Sequence, residues 1–254
     1  MPPNPTSKIP CFRGFGDAAA DRSSVVPIWK EQAVSDKLFS GLEASGWVRM
    51  AAATSATARG IVTELTSSMP DGQKTSKYRE LRVQEAGDAP PGSMSSIVGT
   101  EAQPMHTDGA FLPEPPRYAI FHCLHPGSAG RSTRIWTLDP SRPNMGLPIS
   151  FSKISWIVRP TECRAFYCPI IDVARGHQRL RYDPLCMAAI SKDKHGILAI
   201  EDEIARVSLK NEIVWAHGDL LVLDNWRCLH GRAGSKFDEI PDPRTLGRWT
   251  IGGG

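Results

Sequence analysis

The chain contains two histidines and one aspartate whose types and spacing suit a metal site. His106 and Asp108 are separated by one residue, in the segment MHTDGAF at 105–111. In an extended backbone, residues i and i+2 point to the same face, so the imidazole and the carboxylate can converge on one point. Gly109 follows directly and lets the chain turn without a Cβ penalty. The segment therefore predicts two ligands of one metal ion.

His230 is the third candidate ligand. It follows an apolar run and a polar turn in GDLLVLDNWRCLHGR at 218–232. Two histidines and one carboxylate on one side of an octahedral metal leave three adjacent positions open, which is the arrangement used by non-haem Fe(II) oxygenases. A zinc site would more often use a third His or a Cys and stay tetrahedral. The set predicts iron with room for a bidentate co-substrate and dioxygen.

Two arginines after His230 suit the recognition of carboxylates. Arg244 and Arg248 are four residues apart, so they share a face in either an extended or a helical backbone. A guanidinium donates two parallel hydrogen bonds to a carboxylate, so an Arg here can hold the far end of a dicarboxylic co-substrate. Thr133, in AGRSTRIW, offers a hydroxyl to the same carboxylate.

Composition limits the class of protein. The 254 residues are 41% hydrophobic and 22% charged, the balance of a soluble globular protein, and the net charge of +3 is too small to indicate nucleic acid or a membrane surface. We see no apolar run near the length of a membrane span and no apolar core of a signal peptide. The six cysteines form no CxxC pair, which fits a reducing cytoplasm. The oligomeric state is left open.

Periodicity predicts helices first and strands afterwards. Helices are expected over the VSDKLFSGLEASG segment, ended by Gly46, and over 54–69, with a short strand GWVRM between them. The polar stretch 70–100 suggests a long lid or binding loop. The second half shows short β-branched and aromatic runs, interrupted by one helix near EDEIARVSLKNEI. The pattern predicts a mainly β domain with flanking helices.

Three stretches carry a resemblance to a known family. HTDGAFLPEPPRYAIFHCLHPGSAGRSTRIW (106–136), GDLLVLDNWRCLHGR (218–232) and RTLGR (244–248) resemble the TauD/TfdA family of Fe(II)/2-oxoglutarate dioxygenases, including its clavaminate-synthase-like and amino-acid-hydroxylase branches. The family pattern is an HxD, a Thr in a Gly-rich turn, a GDLLxxDN strand, a distal His and an Arg beyond it. The resemblance is specific over 95–254 and loose before that. Ala102 replaces a polar contact of some sulfonate-binding members, which argues against a taurine-like substrate.

The resemblance implies a double-stranded β-helix (jelly roll) forming one domain over 1–254, with a loosely ordered lead-in at 1–25 and the candidate lid at 70–100. It implies an oxidoreductase that oxidises an unactivated C–H bond of a small anionic or amino-acid-like molecule, in natural-product biosynthesis or catabolism, while 2-oxoglutarate and O2 become succinate and CO2. Hydroxylation is the favoured outcome, and desaturation, ring formation and epimerisation stay open because they start from the same intermediate. The implied metal ligands are His106, Asp108 and His230, the implied 2-oxoglutarate contacts are Thr133 and Arg244, and the candidate substrate contacts are Arg248, Arg181, Tyr78 and Arg79.

Plainer interpretations remain for each residue. Asp108 could cap a surface turn, His230 could be a core histidine bonded to a carbonyl, and Arg244 could pair with Asp238 or Glu239 on the surface. Two other functions also stay open. One is a metal-dependent enzyme on the same scaffold that does not use 2-oxoglutarate, and the other is a non-catalytic protein that binds a small molecule.

Overall fold

The computed structural model describes residues 28–138, 154–159, 164–174, 176–190, 194–208, 211–235 and 242–253, and the lead-in expected at 1–25 lies outside them. The described part is mainly β, with few helices. The helices are α1 (Ile28–Ser45), α2 (Ser55–Ser68), α3 (Met94–Val98) and α4 (Lys194–Ser208), with a 3-10 turn at Ala86–Asp88. Within these ranges, no helix has both the length and the apolar character needed to cross a membrane.

The strands lie mostly in the second half of the chain and pair antiparallel throughout the described ladders. In chain order they are β1 (Trp47–Met50), β2 (Ser76–Arg82), β3 (Tyr118–His125), β4 (Thr133–Thr137), β5 (Trp156–Val158), β6 (Phe166–Cys168), β7 (Ile171–Ala174), β8 (His177–Leu180), β9 (Met187–Ala189), β10 (Glu212–Ile213), β11 (Leu220–Asp224), β12 (Cys228–Arg232) and β13 (Thr245–Ile251).

The largest sheet has five strands in the order β1-β11-β3-β13-β2. Successive side chains of a strand point to opposite faces, so each strand of this sheet contributes side chains to two different packing layers. Ile120, Val222 and Ile251 pack on one face against α1 and α2. Phe121 and Leu246 pack on the other face, which we call the inner face, against residues of the smaller sheet β10-β4-β12. The sheet is therefore covered on both faces, which explains why β11 is apolar from Leu220 to Leu223.

The smaller sheets continue this packing away from the helices. Trp136 and Leu229, from β4 and β12, share a core cluster with Trp156, Val158 and Met187 of the three-stranded sheet β6-β5-β9. The β7-β8 pair forms a separate two-stranded hairpin. Large aromatic side chains dominate this cluster, so it contributes much of the apolar area that stabilises the fold.

Much of the element order follows the sequence predictions. The first helix ends at Ser45, and Gly46 adopts a φ of +79° immediately after it, so the expected glycine stop is confirmed. The second helix is confirmed at Ser55–Ser68, where the Thr54 side chain accepts a hydrogen bond from the Thr57 N–H as an N-cap. The strands expected in GWVRM, YAIFHCLHP, STRIWTL, ISWIVRP, DLLVLDN and RWTIGG are all present.

Two predictions need correction. Ser76–Arg82, inside the expected loop 70–100, is strand β2 at the edge of the large sheet, paired with β13. Nearly all of its residues are exposed, so its sequence lacks the apolar alternation that identifies a half-buried strand. The helix expected near 201–213 begins earlier, at Lys194, and ends at Ser208, while Glu212–Ile213 is strand β10.

Candidate metal centre and co-substrate pocket

The backbone brings His106 and His230 face to face. The His106 N–H donates to the His230 carbonyl at 2.9 Å, and the His230 N–H returns a bond to the His106 carbonyl at 3.0 Å. These two reciprocal backbone hydrogen bonds hold His106 and His230 directly opposite each other. A Cβ on Gly231 would lie 2.8 Å from the Gln103 carbonyl oxygen, so only glycine allows the segment before His106 to approach β12 this closely.

The side chains of His106, Asp108 and His230 converge and are all buried. One ligand atom from each lies within 4.8 Å of the other two. His106 Nε2 is 3.8 Å from Asp108 Oδ1, and His230 Nε2 is 3.9 Å from Asp108 Oδ2. His106 Nδ1 lies 2.9 Å from the Pro104 carbonyl oxygen and donates to it, which leaves Nε2 with its lone pair toward the site.

Two polar atoms of this trio have no hydrogen-bond partner among the described residues, although both are buried. They are Asp108 Oδ2 and His230 Nδ1. A buried carboxylate oxygen without a donor is costly, because it has lost its water without gaining a replacement. A cation between the three side chains would relieve this cost at Asp108. The donor set therefore fits a divalent metal held by two imidazole nitrogens and one carboxylate.

Protonation states also favour metal binding. Burial, and then the neighbouring His106, lowers the pKa of His230 to about 3, so its imidazole is neutral at neutral pH. Burial alone would raise the pKa of the Asp108 carboxyl, but the Arg248 guanidinium, its hydrogen bond and the two neighbouring histidines together hold that pKa below its usual value. A neutral imidazole and an ionised carboxylate are the forms in which these groups act as ligands.

The loop that carries Asp108 is held by side chains from other elements. Asn225, fully buried after β11, accepts from the Asp108 N–H at 2.9 Å and donates to the Asp108 and Pro116 carbonyls at 3.0 and 2.8 Å. Arg181 donates to the carbonyls of Ala110, Leu112 and Pro113. The candidate metal ligand Asp108 thus lies on a backbone held by several hydrogen bonds.

Thr133 and Arg244 come together through a residue that the sequence did not indicate. Trp215 donates from Nε1 to the Thr133 hydroxyl oxygen at 3.0 Å, and its ring lies 5.9 Å from the guanidinium carbon of Arg244. Because the Thr133 oxygen accepts from Trp215, its own hydrogen is directed elsewhere and can be donated to a ligand. The two predicted co-substrate contacts are therefore both buried beside Trp215, and we call these residues and the neighbouring arginines the candidate co-substrate pocket.

This pocket is strongly cationic. Arg131, Arg232 and Arg244 are all buried, with exposed fractions of 3%, 5% and 7%. Arg131 and Arg232 donate to carbonyls of residues 99–101, and Arg244 donates to the Arg131 carbonyl at 2.8 Å. Burial, and then the nearby Arg232, lowers the pKa of Arg244 to about 9. A bound carboxylate would offset this crowding of positive charge.

The candidate substrate residues occupy different places. Arg248 is on the inner face of the large sheet and donates to Asp108 Oδ1 at 2.8 Å. Arg79 lies directly opposite Arg248 on β2. Tyr78 lies on the other face, where its ring is 4.7 Å from that of Trp249, so it is not brought to the metal ligands. Arg181 is 1% exposed and donates to the loop carbonyls. Substrate contacts by all four residues stay predictions.

Four residues of the site were missed as functional candidates. Asn225 and Arg232 lie inside the GDLLVLDNWRCLHGR stretch, so a signal was present for both. Phe121, whose ring centroid lies 5.1 Å from that of His230, looked like an ordinary strand residue. Trp215 had no sequence signal, because its partners come from distant parts of the chain.

Structure comparison finds solved proteins that share the fold of this chain, although no family model and no curated protein matches its sequence. It is similar to an asparagine oxygenase in complex with Fe(II), 2S,3S-3-hydroxyasparagine and succinate (TM-score 0.63, 14% identity, 89% of this chain and 80% of that chain). It is also similar to a taurine dioxygenase from Burkholderia xenovorans (0.61, 16%, 92% and 85%). A third similar structure is the non-haem iron oxygenase OrfP with Fe, succinate and (3S)-hydroxy-L-Arg (0.58, 16%, 89% and 81%).

A shorter alignment with OrfP in complex with Fe spans about half of that protein, 51% of its chain. The longer alignments confirm the resemblance at the level of the fold.

Proposed function

We propose that the protein is an Fe(II)- and 2-oxoglutarate-dependent oxygenase that hydroxylates an unactivated C–H bond of a small molecule. The observation that carries this proposal is the buried convergence of His106, Asp108 and His230, with an orphaned Asp108 oxygen at its centre. The shared fold with iron oxygenases supports it. Bound Fe(II) would supply the activation of O2, coupled to conversion of 2-oxoglutarate to succinate and CO2.

Different residues of the chain would bind the metal, bind 2-oxoglutarate and exclude water. His106, Asp108 and His230 would hold the metal and leave three positions open. Arg244 and the Thr133 hydroxyl would hold the far carboxylate of 2-oxoglutarate, supported by the cationic surroundings of the pocket. The apolar side of the site, including Phe121, excludes water from the reacting centre. Since Asp108 fills its ligand position, no place is vacated for halide, and we expect hydroxylation rather than halogenation.

The substrate proposal rests on charge. Arg248 has a side chain that is 25% exposed and lies beside the metal ligand Asp108, so it can bind an anionic group while the rest of a small molecule faces the iron. We therefore propose an anionic or amino-acid-like substrate. The proposal includes a jelly-roll domain covering 1–254, with the connections around β2 acting as a lid, and action in the cytoplasm without a nucleic-acid or membrane partner.

The test is an anaerobic visible absorption titration of the purified apoprotein with Fe(II) and then 2-oxoglutarate. We expect a weak charge-transfer band that requires both additions and is absent in Asp108→Ala. An Asp108→Asn variant keeps the side-chain shape and removes the negative charge, so it shows whether the carboxylate itself is needed.

Two outcomes would contradict the proposal in different ways. Iron binding without the band would favour a metal-dependent enzyme that does not use 2-oxoglutarate. Failure to bind iron at all, by a protein that is folded by circular dichroism, would favour a non-catalytic binding protein.

A further inference from the structure

A row of three side chains crosses the inner face of the large sheet from the metal site to its edge. Phe121 on β3, Arg248 on β13 and Arg79 on β2 are directly opposite one another in the strand register. Phe121 contacts the His230 ring, and Arg248 bonds to Asp108, which fixes the inner face for the whole row. Opposite residues of paired strands project to the same face with Cβ atoms about 5 Å apart. Arg79 therefore lies one strand outward from Arg248, on the same face.

A second row lies beside the first. Lys77 is opposite Thr250, which is opposite Ala119. Lys77 lines a small cavity together with Thr250, Leu112 and Pro116, and the latter two belong to the segment that follows Asp108. The cavity therefore lies between the inner side of β2 and the segment that follows Asp108. Lys77 and Arg79 are two residues apart on it, about 7 Å along the strand.

The acidic residue of β2 lies on the face opposite Lys77 and Arg79. The inner face carries Lys77 and Arg79, whereas Glu80, the acidic residue of the strand, lies on the opposite face, where Tyr78 donates to it at 3.2 Å. Within the described ranges, neither the Lys77 ammonium nor the Arg79 guanidinium has a hydrogen bond or an ion pair. Two unpaired cations beside an arginine-lined site attract an anion and are free to bind it.

We propose that Lys77 and Arg79 form a second anion subsite, so that the substrate carries two anionic groups. This inference rests on the proposed function. Arg248 would take the group nearer the metal, and the β2 pair would take a second carboxylate or a phosphate at the mouth of the site. The substrate class is therefore an acidic amino acid or a similar small dianion, rather than a neutral or basic amino acid.

Edge strands often carry inward-pointing charges simply to prevent pairing with another chain. That explanation does not require Glu80 to lie on the opposite face from the two cations. It also predicts no preference for acidic over neutral ligands. Arg82 offers a matched control, because it lies on the same strand with the same charge but on the opposite face.

The experiment measures binding of paired probes to the anaerobic Fe(II)- and 2-oxoglutarate-loaded protein by calorimetry and by perturbation of the charge-transfer band. The pairs are L-aspartate with L-asparagine, L-glutamate with L-glutamine, and O-phospho-L-serine with L-serine. In at least one pair, we expect the acidic member to bind about tenfold more tightly or better. Lys77→Gln and Arg79→Gln should remove most of that preference, and Arg82→Gln should retain it.

Three results would overturn the subsite: no preference for the acidic member in any pair, an equal loss of preference in Arg82→Gln, or no binding of any acidic probe at millimolar concentration. The band produced by 2-oxoglutarate alone reports on the proposed function separately. A normal band without an acidic preference rejects only the subsite, whereas a missing band rejects the function on which it rests.

Discussion

The carboxamide of Asn225 brackets the backbone of Asp108, accepting from its N–H at 2.9 Å and donating to its carbonyl at 3.0 Å. Asn225 is fully buried and is contributed by the turn that follows β11. A rigid backbone at Asp108 holds the carboxylate in one position before the metal arrives. Partners that orient metal ligands in this way commonly contribute as much as tenfold to a hundredfold in metal affinity.

We therefore expect Asn225→Ala to weaken Fe(II) binding by about 10- to 100-fold in an anaerobic competition titration against a chelator. Asn225→Asp should also weaken it, because a carboxylate can accept from the Asp108 N–H but cannot donate to the carbonyls. Trp226→Phe is the control, since it removes the bond from Nε1 to the Pro115 carbonyl in the same turn. Unchanged iron affinity with a lower melting temperature would reduce Asn225 to a purely structural role.

Arg244→Met tests the cationic pocket. Charge-assisted hydrogen bonds contribute about 1.5–3 kcal/mol, so the 2-oxoglutarate concentration for half-maximal band formation should rise about 10- to 100-fold. Without 2-oxoglutarate, the variant should unfold at no lower denaturant concentration, because the substitution removes one of three crowded cations. Arg179→Met, which breaks the ion pair with Asp172 on the β7-β8 hairpin, should leave 2-oxoglutarate binding unchanged. If Arg244→Met needs no more 2-oxoglutarate than the unaltered protein for half-maximal band formation, Arg244 does not bind the co-substrate.

Trp215→Phe tests whether the indole N–H orients Thr133. Loss of one neutral hydrogen bond costs about 0.5–1.5 kcal/mol, so 2-oxoglutarate binding should weaken about 3- to 10-fold. Thr133→Val should have at least the same effect. The double variant should be no weaker than Thr133→Val alone, because both changes remove one coupled interaction. Additive losses would show that Trp215 acts independently of the hydroxyl, for example through its ring beside Arg244.

The stability of the metal-free protein should fall as the pH falls below about 6.5. The pKa of His230 is lowered to about 3 in the folded protein, so between these values the unfolded chain binds a proton that the folded chain does not. One such group contributes a slope of about 1.4 kcal/mol per pH unit. Denaturant unfolding at pH 7 and pH 5 should therefore show a smaller loss for His230→Gln than for the unaltered chain. Equal losses would mean that His230 is protonated when folded.

Residue type and local spacing predicted which residues are the candidate metal ligands. The alternation of an extended backbone predicts that His106 and Asp108 lie on one side, and the apolar run before His230 indicates a strand that leads to it. These are short-range properties, so the sequence alone predicts them, together with α1, α2 and six of the strands. The comparison of folds agrees with the predicted β-rich fold, while the roles of the individual residues await the experiments above.

Long-range geometry decided the rest. The segment Ser76–Arg82 has no apolar alternation, and only its register with β13 sets Arg79 beside Arg248. Trp215 joins Thr133 to Arg244 across residues far apart in sequence, and Asn225 reaches Asp108 only after β11 pairs with β3. Such partners are chosen by the packing of whole sheets, in which a shift of one residue moves every side chain to the other face. Local sequence patterns do not predict which distant residues come into contact, so only the tertiary structure shows these contacts.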